Sequence, residues 1–265
     1  MHTTPRHASG VRRILLWALS AAACCTAVCG TAAHAQEEGP SWSYAGETGP
    51  SHWASEDLSY RVCGTGRYQS PIDIKNATPK ALSPIAFDYQ PIPLTVTDTG
   101  HTMQVSAPPG SGGITVGEER YELVQFHFHR PSEESINGKR FQMEVHLVHK
   151  NARGELAVVS VLLRGGNSNP VLREVFDNLP PSGQKEASVP GVTLDPTQLL
   201  PKVRGYYTFE GSLTTPPCSE HVRWFVLKRA MQASSGEIVL FAARYPNNAR
   251  PTQPRAGRPV EQTQD

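Results

Sequence analysis

Three histidines with strand-like spacing are the residues of this chain that point most directly to chemistry. His127 and His129 are two residues apart, and His146 follows seventeen residues later. The residues around them alternate between polar and apolar, which predicts two β-strands whose successive side chains point to opposite faces. If the two strands are neighbours, the three imidazoles converge on one face of a sheet. Three neutral imidazoles leave one corner of a zinc tetrahedron open, the arrangement of a catalytic zinc site.

Two polar residues favour this metal interpretation. Gln125 and Glu144 each lie two residues before a histidine, so each shares a strand face with it. An oxygen in that position can accept the second ring N–H of a metal ligand and fix its tautomer. The alternative is that these are ordinary strand histidines without a metal, the usual situation for an isolated His-x-His pair. The opposite strand faces carry four apolar residues that predict a core behind the site: Phe126, Phe128, Val145 and Leu147.

The first 35 residues have the pattern of a secretory signal peptide. Two arginines precede an apolar run, and a small-x-small motif predicts cleavage after Ala35. The run is shorter than the ~20 residues that a membrane-spanning helix needs, so no span is expected. A lipid anchor at Cys24 or Cys29 is the other alternative, but neither cysteine has a leucine at minus three. We therefore expect a mature chain, residues 36–265, that is periplasmic or secreted.

The mature chain is close to neutral and keeps two cysteines. It has 22 basic and 24 acidic residues, a net charge of −2, which gives no indication of a nucleic-acid partner. In an oxidising compartment, Cys63 and Cys218 predict one disulfide, with two buried thiols as the alternative. The sequence leaves a homodimer open.

The remaining pattern predicts a single domain that is mostly β, with minor helices. Short alternating runs are separated by proline, glycine, asparagine or aspartate, which is typical of a large β fold. The predicted strands are residues 85–89, 94–97, 103–106, 114–116, 121–128, 141–150, 156–163, 206–209 and 222–228.

Two short helices and two irregular segments complete this outline. Asn169 is a good N-cap for a helix over residues 169–179, and Ser234 or Ser235 could cap another over residues 237–243. Residues 180–201 contain five prolines and predict a surface loop. The core is expected to span about residues 42–254, followed by a frayed C-terminal tail.

Further motifs accompany the histidines, and together they resemble the α-class carbonic anhydrases. The resemblance extends from about Trp42 to Pro251. Its motifs are Gly49-Pro50 with Trp53, Gln-Ser-Pro-Ile-Asp at 69–73, Thr99-Gly100-His101, Ser132-Glu133, Gly-Ser-Leu-Thr-Thr-Pro-Pro at 211–217, and Asn248 with Arg250-Pro251. The resemblance implies a central, mainly antiparallel, twisted sheet of ten strands with short surface helices. It also implies zinc-dependent, reversible hydration of carbon dioxide to bicarbonate and a proton.

The resemblance assigns roles to individual residues. It implies that Zn2+ is bound by His127, His129 and His146, and that a zinc-bound hydroxide attacks CO2. The residues that would orient the ligands are Gln125, Glu144 and the backbone carbonyl near Asn248. Thr214 would accept from the hydroxide and donate to Glu133. The remaining roles are a proton shuttle (His101), a water-ordering tyrosine (Tyr44), a bicarbonate contact (Thr215) and an apolar wall for CO2 (Val148, Val158, Leu213 and Trp224). Cys63 and Cys218 match cysteines that are commonly paired in exported bacterial members.

Three positions depart from the family pattern without removing a ligand. Thr99 and Gln104 stand where asparagine is common, and Glu134 stands where many relatives have histidine. The same residues are compatible with two other functions. One is a catalytically silent, carbonic anhydrase-related binding module, which typically lacks a zinc histidine. The other is a zinc esterase, in which the same nucleophile attacks activated esters.

Overall fold

The computed structural model describes residues 41–264, which lie in one compact unit. The predicted signal peptide and the cysteines at 24 and 29 lie outside the described residues. Within residues 41–264, no helix is long and apolar enough to cross a membrane.

Strands account for most of the regular structure in this part of the chain. They are β1 Asp73–Ile74, β2 Thr78–Lys80, β3 Ile85–Phe87, β4 Ile92–Asp98, β5 Met103–Ser106, β6 Gly113–Val116, β7 Glu119–His129, β8 Ser135–Ile136, β9 Lys139–Arg140, β10 Met143–Lys150, β11 Leu156–Gly165, β12 Glu186–Leu194, β13 Tyr206–Ser212, β14 Glu220–Leu227, β15 Met231–Ala233 and β16 Glu261–Thr263.

The helices are short. They are α1 Trp53–Glu56, α2 Val62–Thr65, α3 Pro170–Asp177 and α4 Ser235–Arg244, with 3-10 helices at Gly46–Thr48, Leu58–Tyr60 and Pro196–Leu199. Both predicted helices are confirmed together with their caps. The Asn169 side chain accepts the first free N–H groups of α3, and Ser234 forms a reciprocal capping box with Glu237 at the start of α4.

One large sheet organises the fold. Ten strands form a continuous path in the order β12-β4-β5-β7-β10-β11-β14-β13-β16-β2, and three more, β3, β6 and β15, pair beside it. Most pairs are antiparallel; β11 pairs in parallel with β14 and β15, and β16 does so with β2. A separate three-stranded sheet has the order β1-β8-β9. The predicted fold class is therefore confirmed, with three strands beyond the ten expected.

Strands β7 and β10 separate the main core from the face that carries the histidines. Their apolar face is fully buried in the largest hydrophobic cluster, which also includes Phe176 of α3 and Phe241 of α4. On the opposite face a second cluster contains Val148, Val158 and Trp224. The strand alternation read from the sequence thus places the apolar side chains in a core and the histidines on the other surface.

The prediction of a loop over residues 180–201 is wrong. These residues include β12, which pairs antiparallel with β4 at one end of the sheet path. The pairing register shifts between Ser188 and Thr193, where Pro190 and Gly191 interrupt the ladder. Proline is tolerated there because an edge strand has a partner on one side only.

The prediction of a frayed tail after residue 254 is also wrong. Strand β16 pairs with β13 and β2. Val260 and Arg258 are each only 1% exposed, and the Arg258 guanidinium donates to the backbone carbonyl of Glu210 at 2.9 Å. The core therefore extends beyond residue 254. A three-residue strand is too short to show a period of two in the sequence, so its ladder hydrogen bonds were not foreseen.

Candidate metal centre

Antiparallel pairing of β7 and β10 brings the three histidines together. His146 lies directly opposite His127, and Glu144 lies opposite His129. The ring centroids are 5.0 Å apart for His127–His129, 5.3 Å for His127–His146 and 4.5 Å for His129–His146. Ring nitrogens of all three lie within 4.8 Å of one another, so the three side chains could hold a metal ion.

Two of the rings are oriented by hydrogen bonds from one nitrogen. His127 Nδ1 lies 2.8 Å from Gln125 Oε1, and His129 Nδ1 lies 2.8 Å from the backbone oxygen of Asn248. Since both acceptors are oxygens, each ring carries its proton on Nδ1 and keeps an unprotonated Nε2. His129 Nε2 is buried and has no hydrogen-bond partner within residues 41–264. A buried nitrogen lone pair without a partner is what a metal ligand requires before the metal binds.

The third histidine is oriented from its other nitrogen. His146 Nε2 lies 3.6 Å from Glu144 Oε1 and 3.5 Å from Glu134 Oε2, too long for good hydrogen bonds but close enough for strong attraction. A proton on Nε2 faces these carboxyl groups, which leaves Nδ1 as the nitrogen that could bind a metal. Burial opposes the charged form of His146, but the two glutamates outweigh it and raise the pKa to about 10. A metal at Nδ1 must therefore displace a proton.

The other two rings are neutral at physiological pH. Burial and then the two neighbouring histidines lower the pKa of His127 well below its usual value. Burial lowers the pKa of His129 to about 3. His127 is half-buried, whereas His129 and His146 are each 1% exposed, so the cluster is reached from the His127 side. Three nitrogen donors with one accessible side suit zinc in a four-coordinate site with an open position.

Glu144 is held as a carboxylate. Its Oε2 accepts the backbone N–H groups of Glu133 at 2.7 Å and Glu134 at 3.1 Å, and its Oε1 accepts the Ser160 hydroxyl. Burial alone would raise the pKa of Glu144, but His146 and the side-chain hydrogen bonds with Glu134 and Ser160 lower it to about 2.

Glu134, which departs from the family pattern, is the neutral partner in this pair of acids. Its side chain is fully buried against Glu144 and His146, and neither carboxyl oxygen accepts a hydrogen bond from a donor within the described residues. Burial and then Glu144 raise the pKa of Glu134 well above its usual value. Two ionised carboxylates cannot share one buried site, so Glu134 keeps its proton and can donate it to Glu144.

Glu134→Gln is therefore expected to stabilise the protein at neutral and alkaline pH. A carboxyl with a raised folded-state pKa contributes stability below its unfolded pKa of about 4.5, and this contribution is lost as pH rises toward the folded-state pKa. Glutamine is neutral at every pH and can still donate to Glu144. The melting temperature should match the parent's near pH 4 and exceed it by a few degrees at pH 8, because each kcal/mol is worth about 2–4 °C in a domain of this size.

Glu144→Gln is the matched control, and its effect should have the opposite sign. A carboxyl with a lowered pKa contributes stability above about pH 4.5, so this variant should melt lower than the parent at pH 8. Melting curves for both variants at pH 4, 6 and 8 make the comparison. Equal shifts of the same sign would contradict the assignment of charge within the pair.

A third buried glutamate, Glu133, connects the metal centre to the loop after β13. Glu133 Oε1 accepts the Arg250 backbone N–H at 2.7 Å. Burial raises the pKa of Glu133 to about 7, against the lowering effects of His146, the Thr214 hydroxyl and the Arg250 backbone. Thr214 is 5% exposed, so its hydroxyl meets Glu133 in a nearly dry environment.

Sequence reasoning assigned no role to Arg250, which proves to be central to this region. The side chain is 1% exposed, and its guanidinium stacks 5.4 Å from the centre of the Trp53 ring. It donates to Gln69 Oε1 at 2.9 Å and to the carbonyl oxygens of Ser70 and Cys63, each at 2.8 Å. The Arg-Pro motif was visible in the sequence, but its partners come from a segment about 180 residues away.

The predicted disulfide is confirmed, and it braces the loop that carries Thr214. Cys63 and Cys218 are bonded with a Cα–Cα distance of 5.0 Å. The Cys218 N–H donates to Thr215 O at 2.9 Å, and Gln69 Nε2 donates to Cys218 O at 3.0 Å. The bridge closes a segment of 155 residues, so most of its effect is on the unfolded chain.

Loss of this bridge is expected to cost stability much more than metal content. Cys218→Ser should lower the free energy of unfolding by about 2–5 kcal/mol. The bound zinc per chain should stay unchanged, because neither cysteine touches the histidines. Melting temperature and metal stoichiometry, measured with and without reductant, test this expectation. The Cys63→Ser/Cys218→Ser variant serves as a control for effects of the free thiol.

The apolar wall named from the resemblance lies beside the histidines. Val148, Val158 and Trp224 are buried in one cluster, and Leu213 packs against it. The Trp224 ring lies edge-on to His146 with centroids 4.9 Å apart. Thr215, half-buried, follows Thr214 in the same loop.

His101, the shuttle residue named from the resemblance, lies in the turn between β4 and β5. Its ring stacks on Trp42 with centroids 3.6 Å apart, and Tyr44 lies 6.5 Å away. His101 is half-buried, and burial lowers its pKa. Strand β5 then places Gln104 opposite His127. Nothing in the sequence indicated that His101 stacks on Trp42.

A mainly antiparallel sheet thus brings together three histidines that could hold a metal ion, each with an oxygen atom close to its other ring nitrogen. Comparison with known proteins gives the family. Residues 48–264 match the family described as eukaryotic-type carbonic anhydrase. A carbonic anhydrase from Nostoc sp. is 39% identical over 224 residues, 83% of this chain and 84% of that protein.

Solved structures agree with the sequence match. A hyperthermostable carbonic anhydrase from an active hydrothermal vent chimney superposes with a TM-score of 0.81 at 41% identity, covering 84% of this chain and 100% of the other. The α-carbonic anhydrase from Thermovibrio ammonificans, in complex with the inhibitor sulfanilamide, gives 0.80 at 40% identity, covering 84% and 99%. The chain belongs to the α-class carbonic anhydrase family and is an enzyme of that class.

Proposed function

We propose that this enzyme catalyses zinc-dependent, reversible hydration of carbon dioxide to bicarbonate and a proton, with the metal held by His127, His129 and His146. The observation that carries the proposal is the convergence of three ring nitrogens within 4.8 Å of one another. When bound, zinc supplies a Lewis acid that makes water a nucleophile near neutral pH. Neutral imidazoles preserve the full charge of the ion, whereas carboxylate ligands would reduce it.

Thr214 and Glu133 orient the attacking water. With Glu133 ionised, the Thr214 hydroxyl donates to the carboxylate, so its oxygen lone pairs can only accept. A water that donates to Thr214 then presents its own lone pair toward the substrate. The Arg250 backbone N–H fixes the Glu133 carboxylate at 2.7 Å, so this orientation is built before substrate arrives.

The apolar wall binds the uncharged substrate. Val148, Val158, Leu213 and Trp224 give carbon dioxide an apolar surface beside the metal ligands. Bicarbonate is charged and gains less from that surface, which favours its release. Thr215 would contact bicarbonate from the loop after β13.

His101 carries the product proton away from the centre. Burial lowers its pKa, so the imidazole is neutral at pH 7 and can accept a proton. Tyr44 stays protonated, because burial and the Glu133 charge raise its pKa, and its hydroxyl can order water between the metal centre and His101.

His101→Ala is expected to slow turnover by at least about tenfold in weak buffer. Added imidazole should restore part of the rate, because it replaces the missing proton carrier. Stopped-flow CO2 hydration at low and high buffer concentrations measures the effect. An unchanged rate in weak buffer would show that protons leave by another route.

The deciding experiment measures CO2 hydration and zinc content on the same sample of mature protein. About one zinc per chain, with hydration that sulfanilamide abolishes, is the expected result. A folded, zinc-replete sample without hydration would indicate a silent binding module instead. A much higher rate on a nitrophenyl ester than on CO2 would indicate an esterase.

We also propose that the protein works in the periplasm or outside the cell, after cleavage near Ala35. The Cys63–Cys218 disulfide supports this location, since disulfides persist mainly in oxidising compartments. The N-terminal sequence of the secreted chain tests it, and the elution volume of that chain tests the homodimer.

A further inference from the structure

We propose that Asp98 is a positioning residue for proton transfer, holding the turn that carries His101 against the end of helix α4. The proposal rests on the function proposed above, in which His101 carries the proton. It assigns a role to three residues that none of the motifs included: Asp98, Arg244 and Tyr245.

Asp98 uses both carboxyl oxygens to join the turn to the helix. Oδ1 accepts the Gly100 backbone N–H at 3.0 Å and also the Tyr245 hydroxyl. Oδ2 accepts Arg244 Nη1 at 3.2 Å. One side chain therefore connects the residue next to His101 with two residues at the end of α4.

The helix end is a rigid anchor. Tyr245 packs against Phe241, with ring centroids 5.7 Å apart, and Phe241 is completely buried in the main core. The second guanidinium nitrogen of Arg244 donates to the Pro180 carbonyl oxygen at 2.8 Å. Burial and the Asp98 carboxylate raise the pKa of Tyr245, so the phenol remains a donor throughout the working pH range.

The turn itself depends on such an anchor. Gly100 has φ +81°, a conformation that glycine adopts freely; because it lacks a side chain, only contacts to its backbone can hold it there. Other contacts also brace the turn. The Thr99 hydroxyl accepts the N–H groups of His101 at 3.3 Å and Thr102 at 3.1 Å, the Thr99 N–H donates to Thr102 O at 3.0 Å, and Asn248 Nδ2 donates to His101 O at 3.0 Å. Asp98 supplies the contact to the Gly100 N–H itself.

Asn248 makes the position of this turn relevant to the metal centre. Its side-chain amide donates hydrogen bonds to His101 O and Phe128 O, while its backbone oxygen accepts a hydrogen bond from the His129 ring. Asn248 therefore holds the turn on the side of the metal centre and Asp98 holds it on the side of α4, while Trp42 stacks on the His101 ring. Because proton transfer falls steeply with misplacement of the groups, loss of one support should slow that step selectively.

The test uses two variants of this contact and a matched control. Asp98→Ala removes all three hydrogen bonds, and Tyr245→Phe removes one hydroxyl with little risk to folding. Asp88→Ala is the control, because Asp88 likewise accepts a glycine N–H, from Gly113 at 2.8 Å, and an arginine, Arg120 at 2.7 Å, elsewhere in the fold.

In weak buffer, Asp98→Ala should turn over about tenfold more slowly and Tyr245→Phe about threefold. Imidazole should restore both, while kcat/KM for CO2 in strong buffer and the zinc content stay at the parent values. Asp88→Ala should match the parent in both buffers. Adding Asp98→Ala to His101→Ala should cause no further loss, because the residue acts only through His101.

Three outcomes would overturn the proposal. In the first, Asp98→Ala and Tyr245→Phe keep the parent rate in weak buffer while His101→Ala is slow, so the shuttle stands but needs no anchor. In the second, the losses of Asp98→Ala and His101→Ala multiply, which indicates a general structural effect. In the third, His101→Ala itself has the parent rate, which defeats the shuttle and its positioning together.

Discussion

His129→Ala is expected to leave the protein with much less than one zinc per chain. CO2 hydration should fall by at least about 10³-fold, since a bound metal stabilises the transition state by several kcal/mol. His129 is 1% exposed, and the Asn248 carbonyl fixes its ring through Nδ1. Metal analysis and stopped-flow hydration on the same sample measure both losses.

His149→Gln is the control that separates loss of a ligand from loss of a buried histidine. His149 is completely buried on the same strand as His146, and burial lowers its pKa to about 3. Its Nε2 lies 2.8 Å from the Tyr89 hydroxyl, a contact that glutamine can retain. We expect reduced stability with normal zinc content and activity. If His149→Gln lost zinc as His129→Ala does, the metal loss would reflect damage to β10 instead of a missing ligand.

The part of the site predictable from sequence is the part made by local alternation. A period of two over β7 and β10 places Gln125 and His127 on one face and Phe126 and Phe128 on the other, whatever strand lies beside them. That His146 stands opposite His127 follows only if the two strands are neighbours, which the structure shows. The disulfide was predictable on other grounds, because only Cys63 and Cys218 follow the predicted cleavage site after Ala35.

The contacts that sequence reasoning missed join distant segments. Arg250 donates a hydrogen bond to Ser70 O, and the Tyr245 hydroxyl donates one to Asp98. In both pairs the residues are more than a hundred positions apart in the sequence. A spacing of that length has no period from which a contact could be inferred. The sequence shows that Glu134 departs from the family pattern. Its protonation, however, follows from its complete burial beside Glu144, which is visible only in the folded structure.

Strand β12 shows the same limit in secondary structure. Five prolines in residues 180–201 predicted a loop, since proline cannot donate to a ladder. Proline is nevertheless tolerated in β12, because this strand pairs only with β4 and its register shifts between Ser188 and Thr193. Local propensity therefore failed where tertiary pairing decided the conformation.

Thr214→Val is expected to lower kcat/KM for CO2 hydration by about 10²-fold while leaving zinc content unchanged, because the hydroxyl that accepts a hydrogen bond from the attacking water is lost. Valine has nearly the shape of threonine, so the change removes the hydroxyl that faces Glu133 and little else. Thr208→Val is the matched control: Thr208 is also 5% exposed and lies in β13, just before the same loop.

Comparing Thr214→Val with Thr208→Val distinguishes an effect on the orientation of the attacking water from an effect on side-chain packing. Since Thr208 lies within β13, paired with Phe225 and Glu261, and not in the loop that carries Thr214, its replacement should leave kcat/KM at the parent value, whatever it does to the melting temperature. Thr214→Val should have the larger kinetic effect even where both variants melt at the same temperature. If Thr214→Val retained full activity with zinc bound, the metal centre would orient its water without Thr214, and Glu133 would serve only to hold the Arg250 backbone.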